Sequence, residues 1–265
     1  MISTLFKSTR LTWAAKNLHM YLLAITYAYV YQISFNPLKV IEGLILVSVL
    51  WGALYSLNDL TDLEIDRNDR NKRNRAFVQQ PIDNKIVLIF IGFLIFSVFG
   101  ISLATLNPLF TIIMLLMVIN QLLYTLPPIR LKDTFLAPFT STATNNILRV
   151  ASCSILLGNI LLVPISVYLL MFLVGMGTYM MYKEKKKLMH GMSVLSCILI
   201  TYILLMGDMN IMQFLIIIVP PFLATIPLYL SNFFAQDQLI KQADFLYHKV
   251  VFTFYIVCII VLLFF

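Results

Sequence analysis

The stretch Asn58-Asp59-Leu60-Thr61-Asp62-Leu63-Glu64-Ile65-Asp66-Arg67 follows a long apolar run and is followed closely by several basic residues. A helix continuing over residues 51–66 would place Asp59, Asp62 and Asp66 at i, i+3 and i+7, with their carboxylates along one face and Glu64 pointing elsewhere. Carboxylates stacked in this way repel one another, and burying them near a membrane is costly. The arrangement is therefore unfavourable unless a cation neutralises it.

Magnesium is a suitable cation for this acidic face. It favours a few carboxylates, several waters and the phosphates of a substrate over a closed cage of protein ligands. Basic residues that could hold such phosphates follow directly, and they are Arg67, Lys72, Arg73 and Arg75. The spacing alone is equally typical of a solvated helix beside the membrane, in which acids and bases cancel.

The composition is that of a polytopic membrane protein. Hydrophobic residues make up 60% of the 265 residues and charged residues only 12%, which is too apolar for one soluble domain. We therefore predict an all-α fold of about nine transmembrane helices, forming a single domain over residues 1–265. The predicted spans lie near residues 17–35, 38–57, 84–106, 108–126, 138–162, 163–182, 191–207, 211–234 and 249–265.

The positive charges indicate how the chain is oriented. Of the 19 lysines and arginines, Lys39 alone falls among the short turns of the opposite side, and Arg149 lies within a span. Because positive charge marks the cytoplasmic face, we expect the N-terminus inside, the C-terminus outside and any chemistry at the cytoplasmic side. The net charge of +7 then indicates anionic lipids or phosphorylated substrates as partners, rather than nucleic acid.

Two other basic stretches share the predicted cytoplasmic side. In the first, from Tyr124 to Lys132, paired prolines end the fourth helix and are expected to hold the next residues extended, presenting Arg130 and Lys132. The second, Lys183-Glu184-Lys185-Lys186-Lys187, ends the sixth span. Either stretch could clamp a phosphate. The first could equally be a basic anchor, and the second a lipid-binding cluster whose lysines reach the headgroups.

Arg149 is the one basic residue predicted to lie in the middle of a span. An arginine there costs about 2.5–3.5 kcal/mol on insertion scales, so it needs a partner or a wet cavity. Asn145 and Asn146 precede it by about one helical turn, and several Ser and Thr residues precede them. We expect Arg149 to face an interior polar pocket.

Two motifs within about nine spans resemble a known family. They are Asn-Asp-x-x-Asp-x-x-x-Asp at 58–66 and Tyr-x-x-Pro-Pro-x-Arg-Leu-Lys at 124–132. The chain resembles the UbiA superfamily of intramembrane prenyltransferases over nearly its whole length. The resemblance implies an all-helical barrel around a central cavity that opens to the cytoplasm. It also implies that Asp59, Asp62 and Asp66, with Asn58 beside them, bind Mg²⁺ and the diphosphate of a donor.

One branch of the superfamily fits better than the rest. Typical members carry a second Asp-rich motif at the end of the sixth helix, where this chain has Lys183 and Glu184. Other features resemble the branch of decaprenyl-phosphate phosphoribosyltransferases, although Ala76 stands where that branch has proline. These features are Trp13-Ala-Ala-Lys16-Asn17, Arg67 with the Lys72-Arg73-Asn74-Arg75 run, and Arg149. The likeness implies transfer of 5-phosphoribose from phosphoribosyl diphosphate to a polyprenyl phosphate in the bilayer.

Two alternatives stay open at this point. The first is transfer of a prenyl group from a prenyl diphosphate to an aromatic or lipid-precursor acceptor. The second is a transport or lipid-binding protein without catalysis, whose spans should be polar along a path across the membrane. Here polarity concentrates at the cytoplasmic ends of the spans, which favours the enzyme. The sequence leaves the oligomeric state open.

Overall fold

The computed structural model describes residues 1–10, 14–68, 72–234 and 237–265, and the regular secondary structure in these ranges is entirely helical. The predicted all-α class is confirmed. Short π-helical or 3₁₀ turns lie at Leu131–Asp133, Phe139–Ala143, Ile160–Leu162 and Leu246–Val251. The α-helices are α1 (Ile2–Ser8), α2 (Ala15–Val30), α3 (Pro37–Thr61), α4 (Leu63–Asn68), α5 (Ala76–Gln79), α6 (Asn84–Thr105), α7 (Pro108–Thr125), α8 (Thr144–Leu156), α9 (Ile165–Tyr182), α10 (Lys186–Met206), α11 (Ile211–Ile217), α12 (Val219–Ser231), α13 (Asp237–Phe245) and α14 (Phe252–Phe264).

Each of the nine predicted apolar runs overlaps at least one of these helices. By length and composition, six helical stretches of the described chain could cross a membrane, one of them running from α13 through α14. Counting the bent pair α11 and α12 as one span gives seven. Helices α2 and α8, with 16 and 13 residues, are shorter than a usual span. Nine crossings therefore remain a prediction.

Asparagine and proline start two of the long helices in the same way. The side chain of Asn36 accepts a hydrogen bond from Leu38 N, and that of Asn107 accepts one from Leu109 N, both at 2.9 Å. Proline occupies the first helical position in each case, where its missing N–H costs nothing. The short connection at Asn107-Pro108 is thus a capped turn between α6 and α7.

The first long helix, α2, lies in the centre of the fold. Its side chains from Leu18 to Ala28 are buried on every face, because α3, α8 and α14 pack around it. Helix α6 has the opposite character: its most apolar segment is only 22% buried, and Phe96 is 82% exposed. An apolar helix that exposes such side chains is suited to contact with lipid.

Residues 1–10, which we call the N-terminal strap, lie across the C-terminal part of α3 and against α5. The hydroxyls of Ser8 and Ser56 are 2.7 Å apart, and Leu5 packs in an apolar cluster with Leu57 and Phe77. Gly52 allows this close approach, since a Cβ there would come within 2.9 Å of Thr9 Cβ. The strap is thereby fixed over the end of α3.

Two expectations about the backbone are wrong. The helix predicted to continue over residues 51–66 is interrupted, because α3 ends at Thr61 and Asp62 adopts a non-helical conformation before α4 begins. The residues after Tyr124 also do not simply extend, since the peptide bond between Pro127 and Pro128 is cis and the chain turns there.

Candidate active site

The acid motif, Asn58 to Asp66, lies where α3 gives way to α4. Two of its carboxylates are almost completely buried, with Asp59 2% exposed and Asp66 fully covered. Buried carboxylates must be paired or bind cations, because an isolated buried charge is strongly unfavourable. In this structure all three aspartates of the motif contact basic side chains, and these contacts form two groups.

The first group joins Asp59 and Asp66 through Arg75. Nη1 of Arg75 lies 3.2 Å from Asp59 Oδ1 and also contacts Asp66 Oδ2. Arg10 of the strap contacts the same Asp59 oxygen, and Lys72 Nζ lies 3.1 Å from Asp66 Oδ1 without the alignment of a hydrogen bond. Arg75 is positioned by α5, whose Phe77 is buried against the strap and α3.

This first group has the chemistry of a divalent-metal site. Carboxylate oxygens of Asp59 and Asp66 converge on one cationic nitrogen, so a cation that replaced the Arg75 guanidinium would meet two hard oxygen donors. Mg²⁺ commonly takes one or two carboxylates and completes its coordination with water and phosphate. The described residues hold no group of three or more acidic, His or Cys side chains suited to a metal. The expected face of three carboxylates is therefore absent in this state.

Asp62 belongs to a second group, formed with the loop after α7. Its Oδ1 accepts a 3.1 Å hydrogen bond from Arg130 Nη2 and is also contacted by Lys132 Nζ. Arg130 also lies 2.7 Å from Asp133, and partly buried Tyr124 stands nearby at the end of α7. The loop thus brings the two predicted basic residues to the acid motif. Asn58 accepts a long 3.4 Å hydrogen bond from Thr125 in the same region.

Arg149 lies in a third, buried centre. It is 2% exposed, donates a 2.6 Å hydrogen bond from Nε to Asn17 Oδ1, and stacks its guanidinium 3.9 Å from the ring of Trp51. Tyr55 is also within hydrogen-bonding reach, and Lys16 is a charged neighbour. Among the described residues no carboxylate forms an ion pair with Arg149. The expected interior polar surroundings of Arg149 are observed.

One face of α3 connects this centre to the acid motif. Trp51, Tyr55 and Asp59 follow at intervals of four residues, so their side chains lie along the same side of the helix. The rings of Trp51 and Tyr55 are 5.6 Å apart, and the Arg10 guanidinium lies 5.8 Å from the Tyr55 ring. At 1.5 Å per residue, the two centres are about 12 Å apart along the helix axis.

A cavity of about 390 Å³ adjoins the Arg149 centre. Apolar side chains of α9, α10 and α12 form most of its wall, while Lys16, Asp244 and Tyr247 provide polar groups. Such a space, largely apolar with a few polar groups, is suited to a ligand that carries a hydrocarbon part. The opening of this cavity to the cytoplasm stays a prediction.

Several predicted site residues are not brought to these centres. Arg67 and Arg73 are exposed, and they make no ion pair among the residues that the structure describes. Lys183 and Glu184 are also exposed, and the Lys183 ammonium lies 6.0 Å from the ring of Tyr179. Trp13 of the sequence motif lies outside the described residues.

Arg10 is the site residue that sequence reasoning missed. It lies 49 positions before Asp59 and belongs to no motif, so spacing alone carried no signal that the two residues meet. The only hint was its place among the basic residues ahead of the first span. The packing of the strap on α3, which depends on Gly52 and Ser56, brings Arg10 to the acid motif.

Fold and site together define an all-helical membrane protein with buried, ion-paired aspartates close to a largely apolar cavity. The model of the UbiA prenyltransferase family matches residues 18–253, and the chain belongs to this family. It is accordingly an enzyme of the transferase class, as the sequence predicted. A comparison with curated protein sequences gives no match.

Solved structures share the fold at low sequence identity. A UbiA homologue from Archaeoglobus fulgidus bound to DMAPP and Mg²⁺ has a TM-score of 0.70 at 17% identity, covering 97% of this chain and 99% of that one. The apo UbiA homologue from Aeropyrum pernix K1 gives 0.68 at 15% identity, with 95% and 98% covered. A structure of digeranylgeranylglyceryl phosphate synthase gives 0.63 at 17% identity, with 98% and 97% covered. At this identity the likeness concerns the fold.

Proposed function

We propose that the protein is a Mg²⁺-dependent transferase that moves 5-phosphoribose from phosphoribosyl diphosphate to a polyprenyl phosphate. The observation that carries this choice is the presence of two separate cationic centres along α3. One surrounds the acid motif, and the other holds Arg149 beside Lys16 and Asn17. Phosphoribosyl diphosphate carries a diphosphate and a distant 5-phosphate, whereas a prenyl diphosphate has one charged end. A donor with two anionic ends matches two centres.

The charges around the acid motif are suited to a metal–diphosphate complex. Five basic and four acidic side chains give one net positive charge, and Mg²⁺ would raise it to three. The side chains counted are Arg10, Lys72, Arg75, Arg130 and Lys132 against Asp59, Asp62, Asp66 and Asp133. An incoming diphosphate can accept hydrogen bonds from these basic side chains. The carboxylates that they leave are then free to bind the metal. We therefore expect metal and diphosphate to bind together.

The reaction exchanges one carbon–oxygen bond for another. The bond between C1 of the ribose and the diphosphate breaks, pyrophosphate departs, and an oxygen of the polyprenyl phosphate bonds to C1. Asp59 and Asp66 would hold Mg²⁺, which when bound would supply charge neutralisation for the departing pyrophosphate. Arg75, Lys72 and Arg130 stabilise the same developing charge, because they are already positioned around the motif. Apolar walls of the cavity exclude water, which would otherwise hydrolyse the donor.

Arg149 and Lys16 hold the second anionic group. A buried guanidinium that has only neutral partners and a lysine beside it favours an anion over an empty pocket. Asn17 fixes the guanidinium by its 2.6 Å hydrogen bond. Lys183, Arg67 and Arg73 are exposed in this structure, so we propose for them only a role in attracting anions to the cytoplasmic side.

Prenyl transfer is the second candidate function. It is favoured by the largely apolar cavity and by the fold shared with the Archaeoglobus fulgidus homologue bound to GPP and Mg²⁺. Against it stands the basic stretch from Lys183 to Lys187, where a second acidic motif would be expected to hold further metal. Both candidate functions place the diphosphate at the acid motif. They differ in what the other end of the donor carries, which is a 5-phosphate in one case and an apolar prenyl chain in the other.

The donor can be identified directly. Purified protein is offered phosphoribosyl diphosphate or a prenyl diphosphate separately, with Mg²⁺ and a mixed lipid extract, and the products are identified by mass. We expect pyrophosphate release and a phosphoribosylated polyprenyl phosphate with the first donor only. Turnover of the prenyl diphosphate, with phosphoribosyl diphosphate left intact, would contradict the proposed donor and leave the family assignment unchanged.

A further inference from the structure

The N-terminal strap delivers a basic side chain to the centre of the acid motif. Arg10 Nη2 contacts Asp59 Oδ1, the same oxygen that lies 3.2 Å from Arg75 Nη1. The guanidinium also lies 5.8 Å from the ring of Tyr55, on the α3 face that leads to the Arg149 centre. Arg10 is therefore the member of the acid-motif group that lies beside Tyr55, on the α3 face leading to Arg149.

The strap holds Arg10 in an uncommon backbone conformation. Its φ is +48°, a left-handed value that costs a non-glycine residue energy unless the surroundings enforce it. Those surroundings are the Ser8–Ser56 hydrogen bond, the contact between Thr9 and Gly52, and the hydrogen bond between Thr4 and Gln80. Backbone strain that surrounding contacts enforce is typical of functional sites.

A purely structural ion pair does not explain this placement. Asp59 already has Arg75 as a partner, so a second guanidinium on the same oxygen adds repulsion between the two arginines. That repulsion disappears when a diphosphate with several negative oxygens lies between them, because each guanidinium then has its own acceptors. The arrangement is more favourable with the ligand than without it.

We propose that Arg10 is a diphosphate-binding residue, which exchanges Asp59 for the donor's diphosphate while the strap stays docked on α3. The inference rests on the proposed function only in placing a Mg²⁺–diphosphate at the acid motif, and it is independent of which donor carries that diphosphate. Inorganic pyrophosphate with Mg²⁺ is therefore a sufficient probe.

The first experiment measures Mg²⁺–pyrophosphate binding to the purified full-length protein by calorimetry. Arg10→Gln should weaken binding about tenfold or more, since it removes a charge-assisted hydrogen bond, while Arg10→Lys should retain part of the affinity. Both variants keep a non-glycine residue at φ +48°, so backbone strain is matched. Lys7→Gln is the control, because Lys7 is exposed on the same strap and should bind as the wild type does.

The same binding measurement distinguishes the proposed role of Arg10 from two others, a purely structural ion pair with Asp59 and a pair that blocks Asp59. If Arg10 only stabilises the fold, Arg10→Gln lowers the thermal midpoint and leaves pyrophosphate affinity unchanged. If Arg10 merely blocks Asp59, its removal raises the affinity. Either result overturns the inference.

The second experiment tests whether the strap stays docked. Cysteines replacing Ser8 and Ser56, whose hydroxyls are 2.7 Å apart, can be oxidised to a disulfide that ties the strap to α3. Thiol counting after denaturation verifies the bond. We expect the oxidised and reduced forms to bind Mg²⁺–pyrophosphate within about twofold of each other. Loss of binding on oxidation, restored by reduction, would show that the strap has to leave and would contradict the inference.

Failure of this inference is distinguishable from failure of the proposed function. If wild-type protein binds Mg²⁺–pyrophosphate and Asp59→Asn abolishes that binding, the acid motif has its proposed role whatever Arg10 does. A wild type that does not bind the probe would instead contradict the placement of the diphosphate, on which both proposals depend.

Discussion

At Arg149 a guanidinium lies inside an apolar bundle, with neutral hydrogen-bonding partners and a second cation, Lys16, beside it. Stacking on Trp51 and the hydrogen bond to Asn17 offset part of its desolvation cost, yet cation–π contacts contribute only about 0.5–2 kcal/mol. Burying an ion without a counter-charge costs several kcal/mol after relaxation. Stability therefore does not account for an arginine here, which supports the proposal that it binds an anionic ligand.

Replacing Arg149 by methionine should separate stability from binding. We expect Arg149→Met to leave the thermal midpoint in detergent unchanged or slightly raised, because an apolar side chain of similar length removes a buried charge. The KM for phosphoribosyl diphosphate should rise about 10–100-fold through loss of charge-assisted hydrogen bonds to its 5-phosphate. The matched control is Lys85→Met, an exposed lysine outside the site. Unfolding of Arg149→Met, or unchanged kinetics in it, would contradict this account.

At the residue scale, the sequence predicted which kinds of residue form the site better than it predicted which of them contact one another. It predicted that Asp59, Asp62 and Asp66 share one side of the membrane with the bases Arg75, Arg130 and Lys132, but it did not predict the ion pairs between them. It could not predict that Asp62 pairs with a different loop from its two neighbours. That separation follows from the break at Asp62, which no residue type in the stretch signals.

At the scale of the elements, helix α9 packs closely against the π-helical turn at Phe139–Ala143, near the cavity. A Cβ on Gly175 would lie 2.7 Å from Ala143 Cα and 2.9 Å from its nitrogen, which are backbone atoms that cannot move aside alone. Asn146, just after the turn, donates a 3.1 Å hydrogen bond to Met171 O on α9. The contact fixes the start of α8 and, through it, Arg149.

Gly175→Ala should therefore destabilise the protein by about 1–3 kcal/mol, the usual cost of overpacking. Gly92→Ala is the matched control, since Gly92 lies within α6 and has no atom within 4 Å of the added Cβ. Alanine has the higher helix propensity, so this control should be neutral or slightly stabilising. Equal thermal midpoints for the two variants would contradict the close packing of α9 on the π turn.

Element boundaries were predictable where a residue type dictates them. The helix starts at Pro37 and Pro108 follow from proline preceded by asparagine. The π turn at Phe139–Ala143 was not predicted, because packing against α9 determines it. The predicted span at 138–162 therefore gave no sign of the π turn. The 42° bend between α11 and α12 was also not predicted, although Pro220 and Pro221 at the start of α12 are residues that interrupt a helix.

For the molecule as a whole, the positions of the exposed basic residues predict one orientation of the helices in the membrane. The exposed bases Lys85 and Lys187 lie in the first turns of α6 and α10, at the end of the bundle that holds the acid motif, while Met206 lies at the far end of α10. The positive-inside rule then places the acid motif at the cytoplasmic side. This orientation is a prediction from sequence, since the structure contains no membrane.

Single cysteines test the orientation in intact cells. In a chain whose native cysteines at 153, 197 and 258 are replaced by alanine, we expect Lys85→Cys and Lys187→Cys to react with a membrane-impermeant thiol reagent only after lysis. Met206→Cys should react before lysis, because it lies at the opposite end of α10. A reversed pattern, or different behaviour of positions 85 and 187, would contradict the shared cytoplasmic side.

The central claim is that Asp59 and Asp66 hold Mg²⁺ with the donor's diphosphate, and Mg²⁺-dependent pyrophosphate release by the purified protein tests it most directly. Asp59→Asn and Asp66→Asn keep the side-chain shape and remove the charge, so we predict at least about a hundredfold loss of release for each. Glu64→Gln, an exposed acid in the same stretch, should retain the wild-type rate. Wild-type release by either asparagine variant would contradict the claim.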